Sequence, residues 1–279
     1  DIYGWLNDGQ KDIARRTKSL RKITAIDTTN NTQDYDLIAE IPDFMSIDRK
    51  GGVYMRIDGS STNLRRLTHT TEDDLDITNP GWRNVSTGIP RRYFYDRVKK
   101  QISLFPKPNA TNAGTDYLSI SHFRYPKVVL AGTAASATST TIVFPASSAT
   151  VPAPSVEDDY YNNLYIEIFS ATAGTGQTKK ISDYTGSTVT ANVTWTTTPT
   201  GTIVFGIIPE IAEDVHYAMV LFACSRAYEK AEEFTRANNY WTQYIDRVKL
   251  GKSDLEEEED EMLMVRSYRD RDYSDPGRN

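Results

Sequence analysis

"GIPRRYFYDRVKKQISLFPKPN" (88–109) decides how the rest of the chain is read. It holds six basic residues and three prolines, with Tyr93, Phe94 and Tyr95 set among the cations. One reading is a nucleic-acid strip, in which aromatic faces stack on bases while Arg91, Arg92, Lys99 and Lys100 hold phosphate. The other is a β-hairpin turning near Arg97–Lys100, with Phe94, Val98, Ile102 and Leu104 on its buried side. Alternation and the flanking prolines favour the hairpin. Contact of those four cations with DNA, or with an acidic neighbour such as the 254–261 run of another copy, stays open.

Around the hairpin, residues 23 to 126 alternate in short runs broken by turn residues. "KITAID" (22–27), "YDLI" (35–38), "FMSIDR" (44–49), "VYMRID" (53–58), "NLRRLT" (63–68) and "YLSISHFRYP" (117–126) join "YFYDRV" (93–98) and "QISLFP" (101–106) as expected strands. Gly51-Gly52, Asp58-Gly59 and Asn79-Pro80-Gly81 mark turns. The close spacing implies antiparallel pairing. Residues 127–208 differ: they are rich in Thr, Ala, Ser and Gly and poor in charge. "TTIVF" (140–144), "LYIEIFS" (164–170), "TKKISDYTG" (178–186), "TVTANVTW" (188–195) and "TIVFGI" (202–207) have the β-branched and aromatic content of strands. A separate all-β module, interrupting the main domain, is expected there.

"DIYGWLNDGQKDIARRTKSLRK" (1–22) reads as an amphipathic helix. Ile2, Leu6, Ile13 and Leu20 fall within about 40° of one another, with Trp5 beside them. After the module, Pro209 is expected to open a helix in which Ile211, Val215, Ala218, Met219 and Phe222 share a face. Val220, Leu221 and Cys224 cover its other sides, and a helix apolar nearly all round belongs in a core or between subunits. The pattern continues through Phe234, Trp241, Ile245 and Val248. Unbroken, such a helix would reach about 60 Å, so a kink or split is expected near 229–236. "DLEEEEDE" (254–261) then places seven carboxylates in eight residues. Such a block reads as a solvated or interaction tail. Together these readings give an α+β protein: a bundle of the N-terminal and long C-terminal helices, an antiparallel sheet or sandwich, and the inserted all-β module. The expected divisions are 1–129 with 208–251, then 130–207, then an extended tail over 252–279.

The net charge of −6 argues against a general nucleic-acid binder. "RRTKSLRK" (15–22) and "NLRRL" (63–67), the other basic clusters, read as solvated faces. No apolar run approaches the ~20 residues of a membrane span. The first residues show no signal pattern, and without Met at the start the chain is expected to be processed or preceded by further residues. The single Cys224 excludes an internal disulfide, suits a reducing compartment and reads as a buried hydrophobe. No phosphate loop, dinucleotide fingerprint, zinc-protease helix or nucleophile elbow occurs. His69, His122 and His216 are isolated, and neither Asp73-Asp74 nor Asp158-Asp159 has the alternating ligands of a calcium loop. No cofactor, metal or catalytic residue is expected.

Several segments, in order, resemble the head-to-tail adaptor (connector) proteins of tailed bacteriophages. They are "WLNDGQKDIARRTKSLRK" (5–22), the Pro-bearing turn "DYDLIAEIPDFMSIDR" (34–49), Trp82 followed by "GIPRRYFYD" (88–96), the hairpin exit "ISLFPKPN" (102–109), "YLSISHFRYPKVV" (117–129), and the closing "PEIAEDVHYAMVLFACSRAYEKAEEFTRANNYWTQYIDRV" (209–248). "DDYYNNLYIEIFSATAGTGQTKKISDYTGSTVTANVTWTTTPTGT" (158–202) is similar to a β-module inserted in phage structural proteins. The resemblance implies a structural virion protein of the neck, not an enzyme, assembled in the host bacterial cytoplasm. Such adaptors form a ring, commonly of twelve subunits, beneath the portal protein. The ring extends the channel for double-stranded DNA and docks the tail or next neck protein.

The resemblance further implies that Val215, Met219, Phe222 and Trp241 pack between neighbours of a closed ring. An acidic lumen would pass DNA without gripping it, since phosphate neutralisation is what produces affinity. The tail, through Leu255, Met262, Leu263, Met264, Val265, Tyr268 and Tyr273, would reach the portal. The insertion and the acidic tail depart from the family pattern. A second reading is a tail or baseplate binding protein whose β-module recognises a host-surface glycan or another virion protein through a Thr-, Tyr- and Trp195-bearing surface, although core packing is the expected place of Trp195.

Overall fold

The structure, a computed structural model, describes residues 2–57, 63–84, 86–145 and 152–271, the stretch from 254 onward by its backbone alone. It is a mixed α and β fold with five helices and four sheets, and no sheet closes into a barrel among the described residues. Contacts divide the chain into two compact units, 1–19 with 126–279, and 20–125. The expected grouping of the helices with the 23–126 strands is a different cut, made by chain order rather than by contact.

The chain opens with α1 (Ile2–Thr17). The helix stops short of Lys22 because Thr17 turns its hydroxyl back onto the Ile13 carbonyl (2.9 Å) and Lys18 takes a left-handed φ of 53°. Residues 20–125 then form β1 (Arg21–Thr28), β2 (Asp34–Asp36), α2 (Leu37–Glu40), β3 (Phe44–Ile47), β4 (Val53–Arg56), β5 (Leu64–Arg66), β6 (Thr68–His69), α3 (Glu72–Thr78), β7 (Arg92–Asp96), β8 (Gln101–Phe105) and β9 (Gly114–Arg124). The two short helices were not expected. Asp36 caps α2 by accepting from the Ile38 and Ala39 amides, which ends the "YDLI" strand at β2. Thr71 caps α3 by accepting from the Asp74 amide.

One sheet has the order β1-β9-β4-β5, with β3 also on β9; the other runs β2-β8-β7-β6. All pairs are antiparallel except β6 with β7. The core between the sheets draws Ile26, Val53, Met55, Leu118 and Ile120 from the first and Tyr35, Tyr93, Ile102 and Leu104 from the second. Period-2 alternation makes this possible, because each strand sends every other side chain inward.

The 88–109 stretch is a hairpin, as its alternation implied. Tyr93 faces Leu104, Tyr95 faces Ile102 and Asp96 faces Gln101. Its second strand buries Ile102 and Leu104 as expected, but the first strand turns Tyr93 inward instead of Phe94. Tyr93, Ile102 and Leu104 are buried, whereas Val98 is 92% exposed at the turn. Phe94 lies on the opposite face, beneath Trp82 at 5.6 Å between ring centroids. Trp82 also covers Phe105 and donates its indole N–H to Asp76 of α3 (2.7 Å). Both faces of the hairpin are therefore covered, and a two-sided strand does not reveal its core face by hydrophobicity alone.

The other unit adds β10 (Ala131–Thr133), β11 (Ser136–Ala137), β12 (Thr141–Val143), β13 (Tyr165–Ser170), β14 (Thr178–Lys180), β15 (Asp183–Thr185), β16 (Thr190–Asn192), β17 (Val204–Ile207), α4 (His216–Lys230) and α5 (Phe234–Arg271). The strands form two sheets, β10-β17-β13-β14 and β11-β12-β16-β15. The buried cluster around them, from Leu130 and Phe144 through Tyr161, Ile166, Tyr184 and Trp195 to Phe205 and Ile207, draws every member from 130–207. First and last strands are neighbours: Ala131 pairs with Gly206, and the Ile207 amide donates to the Leu130 carbonyl (2.8 Å).

The buried face of α1 is not the wedge of Ile2, Leu6 and Ile13. It is Asn7, Gly9, Gln10, Ile13, Ala14 and Thr17, while Ile2 is exposed. The reason is polar. Asn7 accepts from the Val129 amide (2.7 Å) and donates to the Val129 carbonyl (3.2 Å), and Gln10 donates to the Lys127 carbonyl (2.7 Å). Two side-chain amides thus pair with an extended segment that has no strand beside it there.

Helix α4 begins at His216, after a 3₁₀ turn at Glu213–Val215, and not at Pro209. Ile208 is still bonded to Tyr165, and the Glu210 carboxylate accepts from the Lys127 amide (2.7 Å), so this stretch serves the sheets. The expected split falls at 231–233, where Glu232 takes a φ of 62°. Helices α4 and α5 then run antiparallel: Tyr228 stacks on Tyr240, Ser225 donates to the Ala237 carbonyl, and Phe222 meets Tyr244. The buried seam of α5 is Ala237, Tyr244, Val248 and Gly251 rather than the Phe234 line, and Phe234 is exposed. Helix α1 packs on both.

Of the expected 252–279 tail, the described backbone continues α5 through the acidic run to Arg271, and 272–279 lie outside the described residues. Glu, Leu and Met are good helix formers, and Gly251 costs only about 1 kcal/mol within a helix. No helix among the described residues is long and apolar enough to cross a membrane.

Candidate assembly surfaces

The four basic residues singled out in the hairpin do not form one surface. Arg91 and Arg92 stand at the entry to β7, while Lys99 and Lys100 belong to the turn at its far end. Asp96 shapes that turn by accepting from the Val98 and Lys99 amides (2.8 and 3.1 Å), and those bonds hold its carboxyl below the ordinary range. Lys99 lies 4.0 Å from the same carboxylate, and Lys100 donates to the Met45 carbonyl (3.2 Å). These lysines have local structural partners, and of the four cations Arg91 and Lys99 are exposed while Arg92 and Lys100 are half-buried.

Cations do converge elsewhere in the same unit. Arg66 on β5 donates to the Lys50 carbonyl (3.2 Å) in the β3–β4 turn, and Arg65 beside it is exposed. Partial desolvation of the exposed ring, with the nearby Arg49, holds the His69 imidazole below its ordinary pKa. The "NLRRL" run read as a solvated face, and Leu64, Arg65 and Arg66 are exposed.

Val215, Met219 and Phe222 lie buried within the chain. Phe222 rests against Gly9, where a Cβ would stand 3.2 Å from its ring. Trp241 is half-buried, with the Arg16 and Arg226 guanidiniums each 5.9 Å from its ring. Tyr244 donates to Asp12 (2.6 Å), tying α5 to α1, and burial raises its phenol well above the ordinary value. Outward-facing apolar residues on these helices are Tyr217, Val220, Phe234 and Leu250. Cys224 is half-buried. The side chains of Leu255, Met262, Leu263, Met264, Val265 and Tyr268, and the whole of Tyr273, lie outside the described residues.

In the β-sandwich of 130–207, Trp195 belongs to the core rather than the surface. Tyr165 and Phe169 are its exposed aromatics, on the outer face of β13 with Glu167 between them. Phe169 lies over Gly206, where a Cβ would come within 2.6 Å of its ring. Tyr184 donates to the Ser155 carbonyl (2.6 Å), and burial pushes its phenol up to about 12.

The histidines are apart. His69 is exposed, His216 bonds the Ile211 carbonyl (2.8 Å), and His122 is buried beside Phe44. Among the described residues no three His, Cys, Asp or Glu side chains could hold a metal ion. Asp158 accepts from the Gly186 amide and Asp159 from Asn162, both structural uses.

No curated protein matches the chain. The family model described as SU10 adaptor protein matches residues 1–173, which include α1, the whole 20–125 unit and the first strands of the 130–207 sandwich. That match covers more than half of the chain, which therefore belongs to the SU10 adaptor protein family, phage structural proteins of the virion.

Proposed function

We propose that the chain is a head-to-tail adaptor. Copies assemble into a ring of about twelve beneath the portal protein, as the resemblance implies, extending the double-stranded DNA channel and docking the tail or next neck protein. The observation that carries this reading is the adaptor-family match. The ring contact would use the outward side of the helical hairpin, Tyr217, Val220 and Phe234 with Trp241 at its rim, because the inward side is filled by the chain itself. The end of α5 and the residues after it, Leu255 to Tyr273, would engage the portal. Assembly would take place in the bacterial cytoplasm.

The test is negative-stain imaging and mass measurement of the purified protein mixed with its portal. Rings on the portal are expected, and a chain that never joins a portal overturns the reading. Deleting 252–279 should weaken docking; unchanged docking removes the tail from that role.

The exposed Tyr165–Glu167–Phe169 strip favours a second role for the sandwich, contact with a host-surface glycan or another virion protein. Particles lacking 130–207 that assemble but fail to adsorb would make this the main function.

A further inference from the structure

We infer that the arginine cluster around β5 and the β3–β4 turn binds the carboxylate-rich segment 254–261 of a second copy of the chain. Residues 49–57 and 63–71 hold Arg49, Lys50, Arg56, Arg65 and Arg66 and no carboxylate. The fold gathers them: Tyr54 pairs with Arg66 and Met55 with Arg65, and Arg66 reaches back to the Arg49 and Lys50 carbonyls. Strand β5 is the edge of its sheet and is exposed along its whole length.

Among the described residues, the carboxylate bonded to this turn is Asp48, and it is already engaged. Asp48 is buried, pairs with Arg21 at 2.7 Å, and accepts from Ser121 and from the Lys50 and Gly51 amides. Its charge is matched by Arg21. Among the described residues no carboxylate pairs with Arg49, Arg65 or Arg66. Arg66 lies against the 49–50 backbone and Arg65 stands on the other side of the same exposed edge strand, so a cationic edge is offered to an anionic partner.

The complement is in the same chain. Residues 20–125 carry 15 Lys and Arg against 13 Asp and Glu, leaving 17 against 25 in the rest. Seven of those carboxylates fall in 254–261. Helix α5 carries this segment beyond its seam with α4, which ends at Gly251, so the carboxylates ride on a continuous helix. Guanidinium groups recognise carboxylates by bidentate contacts. DNA phosphate would meet the same arginines, but the overall acidity of the chain disfavours it. The inference rests on the self-assembly proposed above.

The experiment mixes ¹⁴N- and ¹⁵N-labelled full-length chains and couples amines to carboxylates with a carbodiimide. Links between Lys50 and 254–261 joining heavy and light chains are expected. They should vanish in about 0.5 M salt and fall about tenfold in Arg65→Glu/Arg66→Glu. Arg65→Gln/Arg66→Gln, checked for unchanged melting, keeps the test readable if the reversal misfolds. Links confined to one isotope, no links, or links indifferent to both variants overturn the inference. So does loss of binding to a 30-base-pair duplex in these variants without heavy–light links, which assigns the edge to DNA. Rings that still form on the portal without these links would sink this contact alone, and the adaptor reading fails only with the rings.

Discussion

Gly251 and Val215 meet where α5 passes the start of α4, and a Cβ on Gly251 would stand 2.3 Å from Cγ1 of Val215. No real Cβ tolerates that distance, so the absent side chain sets how closely the two helices approach. Gly251→Ala gains about 1 kcal/mol of helix propensity but overpacks a buried seam, at a cost of about 1–3 kcal/mol. Net destabilisation is expected in urea unfolding. With Val215→Ala in place, the same change should become neutral or stabilising. A stabilising single variant would show that the helices do not touch there.

Asn7 joins α1 to the backbone of Val129 through both of its amide atoms. Asn7→Ala leaves two backbone groups without their partner and should cost about 1–3 kcal/mol. Asn7→Asp should be no better, because a carboxylate would face the Val129 carbonyl. Hydrogen exchange at the Val129 amide is the direct readout; unchanged protection in Asn7→Ala would refute the pairing.

His122 is fully buried, its Nδ1 faces the Ile120 carbonyl at 3.2 Å, and its Nε2 has no partner. Burial holds its pKa below the ordinary value, against the opposing pull of that carbonyl and of Asp43; Lys22 and Arg124 lower it further. The folded state therefore binds fewer protons than the unfolded chain, and stability falls as pH drops through the unfolded pKa of about 6.5. His69, also lowered, contributes in the same direction. Urea midpoints measured at pH 7.5 and pH 5 should differ, and His122→Gln should shrink the difference. An equal difference in the variant would place the acid sensitivity elsewhere.

The cluster confined to 130–207 and the adjacency of its first and last strands predict autonomous folding. A fragment of residues 128–208 should unfold in one cooperative transition with a dispersed amide spectrum. A collapsed, non-cooperative fragment would mean that the sandwich depends on contacts the cut removes, such as the two bonds between Asn7 and Val129.

Local patterning made much of this protein legible. Alternation predicted the hairpin at Arg92–Phe105 and most other strands, and composition separated 130–207, because both depend on neighbours one or two residues away. The resemblance carried by those segments pointed to the adaptor family, to which the chain belongs. Short capped elements were also written in the chain, since Asp36 and Thr71 stand where N-caps stand, although the β-like runs around them masked the signal.

What the sequence could not decide was which face of each element turns inward. Phe94 and Tyr93 are aromatic neighbours either of which can face a core, and Trp82, positioned by Asp76, settles that Phe94 belongs to the second face. Asn7 and Gln10 look like solvent residues until the 127–129 backbone lies beside them. Gly251 reads as a helix end until Val215 occupies the space a side chain would need. Arg49 and Arg66 become one cationic surface only when a turn and an edge strand are brought side by side. Periodicity reports what a residue prefers, while burial depends on what the rest of the chain places against it.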